Sequence, residues 1–195
     1  MLELIERTRT YRRFDEPRSI SDKTLLELIN LARLGGSARN CQPWQYMIIN
    51  STKQCEAVFP YLAWAGYLSD WKGPSSGERP SAHILCLLNR TWLKGSDKEA
   101  HFDLGIATQN LLLGAMEKGI AGCRIGAYSP EINTLFEIPD NLELALVIAL
   151  GFPAETVVIE ETPDENNIRY WRDGADIHHV PKRSLTDIVI DLKQR

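Results

Sequence analysis

No charged residue interrupts the chain between Asp103 and Glu117; the stretch reads "LGIATQNLLLGAM". Its apolar residues recur as in a helix, which the pattern places from about Ala100 to Lys118. A helix that apolar around most of its circumference must be covered on most sides. A chain of 195 residues has a small interior, so two arrangements stand: a central core helix in a monomer, or a helix partly covered by a second copy. The second, an obligate homodimer, is favoured because full burial inside one small subunit is hard to arrange.

Around this helix the pattern mixes strands and helices without a β-α-β rhythm, so the expected class is α+β, as one domain over residues 1–195. Leu25, Leu28, Ile29 and Ala32 fall at helical spacing from Ser21 to Leu34, with Ser21 or Asp22 as the cap and Gly35-Gly36 as the stop. Short strands are expected at Gln45–Asn50, Ala82–Leu88, Ala121–Tyr128 and Leu142–Pro153. Ser129 caps a further helix with Pro130 in its first turn. Residues 154–195 are charged and poor in core residues, and read as an extension that wraps over the body or a partner.

Composition excludes several functions. A net charge of -4 gives no general attraction to nucleic acid or an anionic membrane. No apolar run reaches the roughly 20 residues that a bilayer crossing needs. The N-terminus lacks the layout of a secretory leader, and Asn50 and Asn89 begin glycosylation patterns only by chance. Cys41, Cys55, Cys86 and Cys123 form no C-x-x-C pair, which argues against zinc, iron–sulfur and disulfide frameworks and fits a reducing cytoplasm. His178 and His179 are neighbours in an extended segment and point to opposite faces, so no metal is expected. There is no G-x-G-x-x-G, no G-x-x-x-x-G-K-[ST], no G-x-S-x-G and no H-E-x-x-H.

Two features remain. The start, "RTRTYRRF", sets Arg7, Arg9, Arg12 and Arg13 close together with Thr8 and Thr10, and planar guanidiniums pair well with phosphate oxygens. Lys182-Arg183 near the other end can meet them around one anion if the tail folds back. The loop "GSARNCQPW" (Gly36–Trp44) sets amides between a firm helix and a firm strand, an arrangement suited to a polar, planar ligand.

"RTYRRF", "SARNCQPWQYMII", "FDLGIATQNLLLGAMEKGIAGCRIGAY" and "LGFP", in that order, resemble the signature segments of the nitroreductase family of FMN-dependent oxidoreductases. The resemblance implies a sheet flanked by helices in an intertwined homodimer, with FMN at the subunit interface and a wrapping C-terminal tail. It implies cofactor contacts from Arg9, Thr10, Arg12 and Arg13, from Ser37, Ala38, Asn40 and Gln42, from the backbone of Gly119, Ile120, Ala121 and Gly122, and from Lys182 and Arg183. It implies NADH or NADPH as donor and a small planar acceptor, a nitroaromatic, quinone or enone, in a ping-pong sequence with no catalytic side chain. The segment 61–82, helical in spacing up to Trp71, is a candidate lid whose Trp64, Tyr67 and Trp71 stack on substrate. Two alternatives stay open: a flavin sensor or specialised flavoenzyme (dehalogenase, azoline or enone oxidoreductase) on the same scaffold, and a non-flavin phosphate-binding module.

Overall fold

The computed structural model describes residues 1–162 and 167–190. The order is α1 (Leu2–Arg7), α2 (Asp22–Arg33), β1 (Trp44–Ile49), α3 (Thr52–Val58), β2 (Ala82–Asn89), α4 (Asp97–Glu117), β3 (Ala121–Ile125), α5 (Glu131–Leu135), β4 (Leu142–Gly151), β5 (Val157–Glu161), β6 (Trp171–Arg172), β7 (His178–Lys182) and α6 (Leu185–Ile188). This is the α+β class that the sequence implies.

The main sheet runs β1-β2-β4-β3 and every pair in it is antiparallel. All of β2 is buried, and its alternation divides the core. Ala82, Ile84 and Cys86 pack against α2 and α4; Leu85 and Leu87 pack against α3, Trp64 and α5. Both faces are covered, which is why this strand reads as a nearly continuous apolar run, interrupted only by the buried His83 before its end at Asn89.

α4 starts earlier than the apolar pattern suggests because Ser96 and Glu99 form a capping box: the Glu99 N–H donates to Ser96 Oγ (3.2 Å) and the Ser96 N–H to the Glu99 carboxylate (2.9 Å). It ends in a Schellman turn, with Gly119 N–H donating to Met116 O (3.0 Å) and Ile120 N–H to Ala115 O (2.9 Å). Gly119 sits at φ 72°, a conformation that costs glycine little. α2 crosses α4 closely at Gly114, where a Cβ would stand 2.1 Å from Leu31 Cδ1. Even so, this chain alone leaves Phe102 62% and Ile106 45% exposed, one helical turn apart on the side of α4 away from the sheet.

The N-terminal segment runs between the sheet and the tail. Thr10 bridges Gly122, and Tyr11 N–H donates to Gly122 O (3.1 Å), so the segment extends the β3 edge. Phe14 anchors it, fully buried against Met116 and Ala121. The tail then builds a second sheet, β5-β7-β6, with β5 and β7 parallel.

Three expectations are corrected. The segment from Tyr61 to Trp71 is not a helix. Ala63 N–H donates to Ala127 O and Ser129 N–H to Tyr61 O, Ala65 adopts φ 43°, and successive turns follow; these ties to the loop after β3 override the helical spacing. Ser129 is not the side-chain cap of α5, whose N-cap is Pro130 with no side-chain bond, because Ser129 is held in the pairing with Tyr61. The tail does more than wrap, since it forms a sheet of its own. Residues 163–166 and 191–195 of the expected extension lie outside the described residues.

Candidate cofactor site

The two ends of the chain meet in a cavity of about 340 Å³ on the outer side of β3 and α4. Its wall includes Arg9, Thr10, Arg12, Arg124 and Lys182 and, among the described residues, contains no Asp or Glu. Glu155, a buried carboxylate of the tail, is already committed. It accepts from the backbone N–H groups of Arg12 and Arg13 and pairs with Arg172 at 2.8 Å. Among the described residues, the cations therefore face the cavity with no carboxylate in its wall.

Arg12 is the most enclosed of them, at 8% exposed. Its NH1 donates to His178 Nε2 (3.1 Å), and the Tyr170 ring lies 4.6 Å from its guanidinium carbon. Its Nε has no partner. Arg9 donates from NH2 to Ile5 O (2.6 Å), and its Nε is likewise buried and unpartnered. Arg124 donates to Thr108 Oγ1 and Gln109 Oε1, both at 2.9 Å, and burial lowers its affinity for its proton. Buried donors without acceptors are rare in folded chains and mark a place that a ligand's acceptors can fill.

Arg13 points elsewhere. It pairs with Asp176, lies 3.6 Å from Glu78 and lines a separate acidic cavity. Arg183 also lines another cavity, with Glu6, Glu160 and Glu161, whereas Lys182 borders both.

The amide loop builds a second cavity of about 180 Å³. Asp103, 6% exposed on α4, organises it. Ser37 Oγ–H donates to its carboxylate (2.7 Å), as does Ala38 N–H (3.0 Å), and Gln42 N–H donates to Ser37 Oγ (2.9 Å). Arg39, Asn40 and Gln42 all take left-handed backbone, at φ 55°, 52° and 49°. Such strain persists only where surrounding contacts over-determine it, and it clusters at ligand sites. The Gln42 side-chain amide donates to Asn40 Oδ1 (2.9 Å), so the two expected amides stand together.

The two cavities cannot be one site within this chain. Asp103 and Ala107 line the loop cavity, whereas Gln109 and Leu112 line the cationic one. At about 100° per residue these pairs point to nearly opposite sides of α4.

The remaining expected residues have local roles. Gly119 ends α4, Ile120 and Ala121 are buried, and Gly122 pairs with the N-terminal segment. Trp64 is buried beside Phe59; Trp71 is covered by Arg172, whose guanidinium carbon lies 4.5 Å from the ring. Tyr67 is half exposed against Tyr170 (4.9 Å between rings). Asp103, Arg124, Tyr170 and His178 escaped the sequence reading of the site. Only Arg124 left a signal, as the one charge inside an apolar, glycine-flanked strand.

Against known proteins, a family model described as "Nitroreductase family" matches residues 5–152. Two curated archaeal relatives carry the provisional description NADH dehydrogenase/NAD(P)H nitroreductase. The one from Methanothermobacter thermautotrophicus is 26% identical, covering 88% of this chain and 87% of the relative. The one from Archaeoglobus fulgidus is 26% identical, covering 85% and 92%. A crystal structure from Desulfovibrio desulfuricans, provisionally described as a nitroreductase in complex with FMN, superposes with a TM-score of 0.69 at 19% identity, covering 97% of this chain and 95% of that one. A nitroreductase family protein from Clostridium difficile gives 0.68 at 19%, covering 98% of each. At these identities the structures share the fold.

Proposed function

The chain belongs to the nitroreductase family, and from that premise we propose that it is an FMN-dependent oxidoreductase passing reducing equivalents from NADH or NADPH to a small planar acceptor such as a nitroaromatic or quinone. The observation that carries the reading is the pair of half-sites on opposite sides of α4. A homodimer in which the cationic cavity of one chain meets the amide loop of the other completes both. The exposed Phe102 and Ile106 stripe on α4 supports such a contact, because an apolar face of this kind is covered in a stable dimer.

The residues suit the cofactor. Arg9, Thr10 and Lys182 hold its phosphate, since guanidinium and ammonium donors pair strongly with phosphate oxygens. Arg12 supplies a guanidinium that pairs with no carboxylate among the described residues, and Asn40 and Gln42 of the partner loop offer amide donors and acceptors to a planar polar edge. When bound, FMN supplies the hydride and electron transfer. The protein holds it, orients it and limits water. Donor and acceptor use one opening in turn, so the kinetics are ping-pong. Of the three stacking candidates Trp64, Tyr67 and Trp71, Tyr67 is the one exposed beside the cavity wall and is assigned to acceptor stacking.

The test is the visible spectrum of protein reconstituted with FMN. Flavin absorption that bleaches anaerobically with NADH or NADPH, and returns with a nitroaromatic or quinone, supports the assignment. A bound flavin that neither nucleotide reduces overturns it in favour of a sensor, and a protein that takes up no flavin overturns it outright.

A further inference from the structure

Arg12 and Arg13 are neighbours, yet their surroundings differ. Arg13 is neutralised by Asp176 and Glu78. Arg12 faces the cavity with two uncharged companions, the His178 imidazole and the Tyr170 ring.

We infer that His178 is a positioning residue for Arg12: its uncharged imidazole accepts from the guanidinium and aims it into the cavity without cancelling its charge. The inference rests on the FMN reading and adds a residue to it. An Arg guanidinium only donates, so at 3.1 Å His178 Nε2 must be the acceptor and the ring proton sits on Nδ1, which has no partner.

His178 is 1% exposed. Burial, then the Arg12, Arg172 and His179 charges, push its pKa down to about 4, so the ring stays neutral at pH 7. Tyr170 packs against both partners, with its ring 5.3 Å from that of His178 and tilted 51° to it. Glu155, whose carboxylate accepts from the Arg12 backbone N–H, is held by Arg172 and by the Arg13 N–H as well. β7 carries both His178 and Lys182. The strand that brings one cation to the cavity therefore also fixes the aim of another.

A carboxylate in place of His178 would hold Arg12 more tightly and cancel the charge an anionic ligand needs. An apolar residue would leave Arg12 free to turn.

The test is a double-mutant cycle read by binding, not turnover. Flavin-free protein is titrated with FMN, following quenching of flavin fluorescence, for wild type, His178→Leu, Arg12→Met and the double variant. Each single variant is expected to weaken FMN binding by about tenfold or more, and the double to be no weaker than Arg12→Met alone, the non-additivity of two groups acting as a unit. His178→Gln, whose amide oxygen can accept, is expected to keep most of the affinity. Should the Leu variant not fold, His178→Asn, whose shorter amide stops short of Arg12, carries the same comparison. A wild-type level of binding in His178→Leu, or a loss that adds in full to that of Arg12→Met, overturns the role of His178 alone. Failure of the wild type to bind FMN overturns the functional reading and this inference with it.

Discussion

The cavity at the chain ends draws its wall from residues 8–12, 109–124 and 170–182, whereas the loop cavity takes most of its wall from residues 32–46 and adds Trp92, Asp103 and Ala107. The first gathers positive charge with no carboxylate among the described residues of its wall. The second stores strain, with three left-handed side-chain-bearing residues in a loop that one carboxylate pins at Ser37 and Ala38. One is a product of long-range folding and the other of a contiguous loop pinned by a helix. Each lacks what the other has, and α4 keeps them apart within a chain. A ligand with an anionic end and a planar polar end needs both.

That difference can be broken side by side. The largest effect is expected from Arg9→Met with Lys182→Met. FMN affinity falls about 100-fold or more, two charge-assisted contacts at about 1.5–3 kcal/mol each, while riboflavin, which lacks the phosphate, binds within about threefold of wild type. Equal losses for both flavins would show that the cavity does not read the phosphate. Next comes Asp103→Ala on the loop side, which leaves the Ala38 N–H without its acceptor and is expected to cost about 1.5–3 kcal/mol by urea denaturation, with a parallel loss of FMN affinity.

Acid sharpens the contrast, because His178 belongs to the cationic side only. Its folded pKa of about 4 lies below the ordinary value near 6.5, so the unfolded chain binds more protons between those limits. The His178 contribution to the stability of the flavin-free protein is full above about pH 6.5 and is lost as pH falls toward 4, a loss that His178→Gln removes. Asn40→Ala, at φ 52°, is expected to cost about 1 kcal/mol because alanine tolerates left-handed backbone poorly. Arg13→Ala is the smallest: its partners are largely solvated, so the loss stays under about 1 kcal/mol and FMN affinity stays within about twofold.

What the sequence revealed follows the same division. α2 was legible from Ser21, the spacing of Leu25, Leu28 and Ala32, and the glycines after it, and the structure has Ser21 Oγ accepting from Thr24 N–H. β2 was legible as an apolar run, because both of its faces are covered. The amide loop was visible because its residues are adjacent in sequence.

The cationic cavity was legible only by its arginines and Lys182. His178, Tyr170 and Arg124 reach it through pairings that no local period records, such as Arg12 with His178 across the whole chain. Segment 61–71 misled because its aromatic spacing matched a helix while its backbone bonds go to residues 127–129. The tail sheet was missed because strands of two to five residues carry too little alternation to read.

The central claim is that each flavin site takes its cations from one chain and its amide loop from another. It is tested by mixing two variants, Arg9→Met/Lys182→Met and Asp103→Ala, each chosen to disable one half-site, after unfolding and refolding them together. Random pairing of a twofold dimer makes about half of the molecules mixed, each with one intact site, so FMN binding is expected to return to about a quarter of the wild-type level. Mixed protein that binds no more FMN than the two variants apart contradicts the account.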